Sequence, residues 1–298
     1  MHGGAGSEAL DQATREFLTA RPRLFGIAYR VLGSAAEAED VVQETWLRWQ
    51  NTDHSKVHEP AAFLATTAIR LAINVARSAR VRRESYIGPW LPEPVDTRND
   101  PQLGAERGEA VEMAVLLLME KLNPVERAAY VLREAFDYSY ARIADMLETS
   151  EANARQLVSR GRRHLAAERR EQVSPQAHRR FLEVFLSAAQ TGDMTVLEDV
   201  LTAEVVSYAD GGGMRGASRI PVVGRLHVSR YLAAFAPRFW PGKEIRWVEA
   251  NGRPAVLVSS DGQAVALLCV DVSVAGIDRL MWVMNPAKLL PYTASLAD

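Results

Sequence analysis

Gln156, Ser159 and Arg163 recur at intervals of three and four residues, the spacing that stacks side chains on one helix face. At about 100° per residue, Ala152, Gln156, Ser159 and Arg163 share that face, flanked by Asn153, Arg155 and Arg160. Ala154, Leu157, Val158, Gly161 and Leu165 line the opposite one. Gln and Arg can make paired hydrogen bonds to base edges in the major groove, whereas Arg162, Arg163, Arg169 and Arg170 suit phosphate neutralisation. A second group, Asp210, His227, Asp271 and Arg279, contains the types needed for acid–base work on a carbonyl compound. Nothing in the spacing brings His227 beside Asp210. The plainer reading is that Asp210 caps a glycine turn and His227 starts a helix. No metal-ligand spacing, phosphate loop or nucleophile elbow is present.

The elements around the first group are well marked. Asn123-Pro124-Val125-Glu126 reads as a helix start, with Asn123 as cap, Pro124 in the first turn and Glu126 closing a capping box. Tyr140 to Leu147 gives two helical turns with Ile143, Ala144 and Leu147 inward. Glu148-Thr149 turns the chain, and Ser150 can cap the helix that carries Gln156 and Arg160. A short helix, a tight turn and a longer helix with polar and arginine residues outward form a helix-turn-helix, which lays its second helix in the major groove. The competing reading is a helical hairpin with a solvated basic face.

Further elements flank this motif. Leu24, Ile27, Ala28, Val31 and Leu32 keep helical spacing, as do Leu64, Ala68, Leu71 and Val75, then Val111, Val115, Leu118 and Leu122. Between the first two runs, Glu37 to Trp49 is amphipathic and acidic, with Asp40, Gln43 and Glu44 opposite its apolar face. The helix from Phe63 to Arg83 ends on Arg77, Arg80, Arg82 and Arg83, which also suits the negative end of a helix dipole. IGPWLPEP follows, with three prolines in six residues that stop the helix and stiffen the backbone. VDTRNDPQLGAERGE continues as polar loop. After Ser174-Pro175, a helix through Phe181, Phe185 and Ala189 ends at Gly192, and a short one follows from Asp193 to Leu201. Candidate strands VVSYA, EIRWVEA, AVLVSS, AVALLCVDVSV and DRLMWVM come next, interrupted by the helix VSRYLAAFA; the pattern is α+β.

Composition sets the outer limits. The 298 residues are 48% hydrophobic and 24% charged, with a net charge of −2 that hides locally acidic and basic stretches. No apolar run approaches the ~20 residues of a membrane span, and the N-terminus lacks a signal layout. Cys269 stands alone, so no intramolecular disulfide or cysteine-cluster zinc site is expected. The expected location is the cytoplasm.

Taken together, DVVQETWLRW resembles the region 2 helix of bacterial sigma-70 factors that docks on the RNA polymerase clamp. AAFLATTAIRLAINVARSARVRR resembles the adjoining helix that contacts the −10 promoter element. The helix-turn-helix resembles region 4, which reads the −35 element. A chain with only regions 2 and 4 is similar to the extracytoplasmic function (ECF) group. With WLPEP between them and an α+β domain after them, it resembles the SigJ-like ECF41 factors, whose C-terminal domain is SnoaL-like, of the NTF2-like cone fold. Asp210-Gly-Gly-Gly-Met214 and Asn285-Pro-Ala-Lys-Leu289 match the group's DGGGK and NPDKL. Met214 and Ala287 are departures, which removes any salt bridge those two positions would make.

The resemblance implies a multidomain protein. Two all-α domains, a region 2 bundle (1–86) and a region 4 helix-turn-helix (111–172), are joined by a linker (87–110) and followed by a cone domain (173–298). It implies −35 contacts from Ala152, Asn153, Arg155, Gln156, Ser159, Arg160 and Arg163, and −10 contacts from Arg70, Asn74, Arg77 and Arg80. Asp40, Gln43 and Glu44 would meet polymerase. Trp90, Leu91, Pro92, Asp210, Gly211, Gly212, Gly213, Asn285 and Pro286 would carry interdomain regulation, with Trp90 and Pro92 packed on the C-terminal domain and Trp90 as its buried anchor. The implied partners are core RNA polymerase, at clamp and flap, and promoter DNA, with no cofactor, metal or catalytic residue. Two alternatives stay open: a helix-turn-helix regulator, and a bifunctional protein whose cone binds a small ligand or acts as cyclase or isomerase.

Overall fold

The computed structural model describes residues 4–97, 112–166, 168, 171, 173–214 and 216–296. The polar stretch 98–109, Val111, Arg169 and Arg170 lie outside the described residues. The chain divides into two compact units. The described residues of the first are 4–82 and 118–166; those of the second are 83–97, 112–117, 168, 171, 173–214 and 216–296.

The first unit is helical. Helices α1 (Gly4–Leu32), α2 (Ala35–Gln50) and α3 (Pro60–Glu84) come first, then α4 (Met113–Met119), which enters the unit at Leu118. Helices α5 (Pro124–Glu134), α6 (Tyr140–Leu147) and α7 (Glu151–Ala166) complete it. The first expected apolar stripe is its core, with Leu24, Ile27, Ala28, Val31 and Leu32 at most 1% exposed. Of the second, Leu64 and Ala68 are fully buried, whereas Leu71 and Val75 are half-buried and Ile69 and Ala72 turn inward instead. Trp49 is buried as well and donates its indole N–H to the Ala13 carbonyl at 2.9 Å, so a large apolar residue keeps its polar atom satisfied.

In the second unit, α8 (Pro175–Thr191), α9 (Met194–Val200) and α10 (Arg225–Phe239) accompany a six-stranded sheet. Its strands are β1 (Leu201–Asp210), β2 (Val222–Val223), β3 (Lys243–Ala250), β4 (Arg253–Ser260), β5 (Gln263–Ser273) and β6 (Gly276–Val283). The order is β2-β1-β6-β5-β4-β3, with only the β1–β6 pair parallel. The two-residue β2 escapes a sequence reading because two residues carry no period.

Side chains alternate across a sheet, and here both faces are covered. Ala266, Leu268 and Val270 of β5 join one apolar cluster with α8, α9 and α10. Leu267 and Cys269 join another with Leu91, Met113, Ala114, and Leu289 and Tyr292 of α11 (Pro286–Ser295). Burial on both faces explains why AVALLCVDVSV reads as an unbroken apolar run. It also places a linker residue, Leu91, inside the core.

Candidate nucleic-acid interface and linker site

The helix-turn-helix is built by local hydrogen bonds. Asn123 accepts from the Val125 and Glu126 amides at 3.1 and 3.0 Å, and the Glu126 carboxylate reaches back to the Asn123 amide. Ser139 caps α6, and Ser150 accepts from the Asn153 amide at 3.2 Å to start α7. Ala154, Leu157, Val158, Gly161 and Leu165 are the buried stripe of α7. Gly161 sits so close to α5 that a Cβ there would lie 3.1 Å from the Tyr130 side chain. Ala152, Asn153, Arg155, Gln156, Ser159, Arg160 and Arg163 are all exposed.

Some of these side chains have partners. Arg155 pairs with Glu151 and lies 4.7 Å from the Tyr140 ring centroid, and Arg160 stands 3.7 Å from Glu126. Asn153 donates to the Thr149 hydroxyl at 2.8 Å. Arg162, expected to face phosphates, instead pairs with Glu134 at 2.7 Å and ties α7 to α5.

On α2, Asp40 and Gln43 are exposed, while the half-buried Glu44 pairs with Arg48 at 2.9 Å. Ser34 caps the helix by accepting from the Glu37 amide. On α3, Asn74, Arg77 and Arg80 are exposed. Arg70 differs: its guanidinium donates to the Met146 and Asp145 carbonyls at 2.9 and 3.0 Å and meets Glu148 at 2.8 Å.

In the second unit, Asp210 is the hub of the linker site. Its carboxylate is wholly buried and accepts from the Tyr86 hydroxyl (2.5 Å), the Leu91 amide (2.9 Å) and the Lys288 ammonium (2.7 Å). Lys288 also donates to the Leu91 carbonyl and lies 4.2 Å from the Trp90 ring centroid. Asn285 donates to the Tyr86 hydroxyl at 2.8 Å while its own oxygen caps α11 at the Ala287 amide. Farther along, Val95 exchanges hydrogen bonds with Asn251, and Thr97 donates to Glu249 at 2.6 Å. The linker is therefore bonded along its described length. Gly212 has φ +56, and a Cβ on it would fall 2.8 Å from the Asn285 amide nitrogen, so the glycine turn lets Asn285 approach.

This geometry corrects several expectations. Asp210 does not merely cap the glycine turn; it binds the linker. The salt bridge links Asp210 with Lys288, so neither Met214 nor Ala287 is needed. Leu91, fully buried, is the apolar anchor; Trp90 is only half-buried, between Lys288 and Arg83, whose guanidinium lies 3.5 Å from the ring centroid. Pro92 is buried as expected. Tyr86 and Lys288 were missed because they reach Asp210 across 124 and 78 residues; only the lysine within Asn285-Pro-Ala-Lys-Leu289 hinted at the site.

Burial dominates the titrations here. It raises the Tyr86 phenol well above its ordinary value, with Asp210 adding to the effect. Burial lowers Lys288 while Asp210 opposes the shift. Asp271 is raised by burial against the counteracting Arg279 it pairs with, and His178, bonded at 3.1 Å to the Val270 carbonyl, is lowered by burial to about 4. Of the four acid–base candidates, Asp271 and Arg279 pair with each other, Asp210 is bonded to Tyr86, Leu91 and Lys288, and the exposed His227 is bonded to the Val223 carbonyl.

Comparison with known proteins adds a separate finding. Residues 17–82 match the description "Sigma-70 region 2", and residues 112–165 match "Sigma-70, region 4". The chain is 36% identical over 232 residues to the ECF RNA polymerase sigma factor SigJ of Mycobacterium tuberculosis, covering 76% of this chain and 74% of that protein. It is 28% identical over 282 residues to the probable ECF RNA polymerase sigma factor SigI of Mycobacterium tuberculosis, covering 93% and 94%. The crystal structure of Mycobacterium tuberculosis SigJ superposes with a TM-score of 0.75 at 30% identity, covering 93% of this chain and 98% of that one.

Proposed function

Because the chain belongs to the extracytoplasmic function family of RNA polymerase sigma factors, we propose that its C-terminal domain governs promoter use through the linker it binds. As an alternative sigma factor, the protein directs transcription initiation. In our reading, Asp40, Gln43 and Glu44 of α2 meet the polymerase clamp. Arg70, Asn74, Arg77 and Arg80 of α3 face the −10 element, and Ala152, Asn153, Arg155, Gln156, Ser159, Arg160 and Arg163 of α7 face the −35 element. Residues 1–86 act as region 2, 87–110 as linker, 111–172 as region 4 and 173–298 as a SnoaL-like regulatory domain. The work is done in the cytoplasm, where polymerase and promoter are.

The observation that carries the regulatory reading is the buried Asp210, which spends its acceptors on Tyr86, Leu91 and Lys288. A linker held this way has fewer conformations, which sets how regions 2 and 4 meet polymerase. We assign the C-terminal domain no catalysis. In support, Asp210 is committed to Lys288 and the Leu91 amide, and Asp271 to Arg279.

Run-off transcription with core polymerase, using the DNA upstream of the protein's own gene, tests this reading. Asp210→Asn and a chain cut after Asn285 should change promoter output while affinity for an isolated −35 duplex stays constant. Output equal to wild type in both would leave the domain a passenger.

A further inference from the structure

One of the four α3 side chains read as meeting promoter DNA, Arg70, is already occupied. All three acceptors of Arg70 belong to one place, the C-terminal end of α6 and the turn into α7. A helix C-terminus leaves carbonyls unsatisfied and carries partial negative charge. A planar guanidinium with its fan of donors fits such an end better than an ammonium. Glu148 adds its carboxylate because it adopts the left-handed conformation (φ 52) in which α6 ends, an unusual state for a residue with a side chain. We propose that Arg70 is a two-position latch: it caps α6 in the free protein and must leave that cap to serve promoter DNA. This rests on the reading of α3 and α7 as the −10 and −35 elements' partners.

The two roles exclude one another on distance. Elements named −10 and −35 lie about 25 base pairs apart, roughly 85 Å at ~3.4 Å per pair. A hydrogen bond from the middle of α3 to the turn preceding α7 cannot persist across that span. The latch is also weak enough to open. The Arg70 and Glu148 side chains are 43% and 75% exposed, and exposed pairs of this kind contribute little and are screened by salt. Elsewhere in the unit, Arg127 donates to the Val31 carbonyl at 2.8 Å and joins α5 to α1. That buried bond does not involve a DNA-facing side chain. Among the described residues, Arg70 is the DNA-assigned side chain of α3 bonded to the end of α6, so it couples release of α6 to engagement of DNA.

The test uses the full-length protein and a fluorescent single-stranded oligonucleotide carrying the −10 region upstream of its own gene. Glu148→Ala, and Glu148→Gln as a size-conserving check, should bind it about three- to ten-fold more tightly than wild type, because less holds Arg70 back. Asp145→Asn removes a neighbouring exposed charge whose carboxylate does not hold Arg70, and should change affinity less than two-fold. Adding the oligonucleotide to wild type should speed hydrogen exchange at the Glu148 and Thr149 amides, which close the end of α6. Wild-type affinity in both Glu148 variants, with binding lost in Arg70→Ala, would overturn the latch while leaving α3 as the DNA reader. An equal gain in Asp145→Asn would also overturn it, since bulk charge would then explain the result. Undiminished binding by Arg70→Ala would instead overturn the assignment of Arg70 to DNA.

Discussion

Replacing Lys288 with methionine keeps the aliphatic stem and deletes the charge. Asp210, with no exposed surface, would then keep two donors, the Tyr86 hydroxyl and the Leu91 amide, but no counter-ion. The Leu91 carbonyl would lose its ammonium donor at the same time. Removing one partner from a buried pair typically costs about 3–5 kcal/mol, because the remaining charge is stranded in a poor solvent. In a folding unit of this size each kcal/mol lowers Tm by about 2–4 °C, so a fall on the order of 10 °C is expected. Asp210→Asn should cost a similar amount by stranding the ammonium. The double variant Asp210→Asn with Lys288→Met strands no charge, and should be destabilised by about 2–3 kcal/mol less than the sum of the single changes. Urea titrations followed by circular dichroism measure all three. A single change costing under about 1 kcal/mol, or strict additivity in the double variant, would refute the reasoning.

Four other outcomes are expected. Arg155→Ala with Arg160→Ala should weaken a −35 duplex by about 1–3 kcal/mol per lost base contact while leaving polymerase binding intact, as read by anisotropy and pull-down. Asp40→Lys with Glu44→Lys should abolish association with core polymerase at nearly unchanged Tm; normal holoenzyme assembly would reduce α2 to a solvated face. Leu91→Ala should cost about 2–5 kcal/mol and Trp90→Ala clearly less, the reverse of what side-chain size suggests, and denaturation midpoints decide between them. His178 is almost fully buried with its pKa lowered to about 4, so the unfolded chain binds the extra proton between about pH 4 and 6.5. Stability contributed by the neutral ring is thus present above pH 6.5 and lost as pH falls. Wild type should lose about 2 kcal/mol more than His178→Met between pH 7 and 4.5.

What the sequence made legible was whatever is decided within a few turns of chain. The buried stripe of α7 follows from spacing alone, and the caps at Asn123 and Ser150 act over two or three residues. The linker site is a different case. Asp210 meets Leu91 across 119 residues, and Lys288 meets it across 197, distances at which local pattern carries no information. Trp90 and Leu91 illustrate the ambiguity: neighbours in extended chain face opposite ways, and only the fold says which one turns inward. Arg70 was legible as a basic residue on α3 but not as a cap, because its acceptors are backbone carbonyls whose availability depends on where α6 stops.

The 197 residues that separate Leu91 from Lys288 also set an order in time. Chains emerge N-terminal end first, at about 5–20 residues per second. The linker therefore leaves the ribosome roughly 10–40 s before the lysine that secures it has been made. Asp210 arrives during that interval without its counter-ion, so the linker site can be completed only once Lys288 has emerged. Until then each new chain carries α1 to α3 on an unsecured linker. Slow codons between residues 210 and 288 would lengthen that phase without altering a single contact in the finished protein.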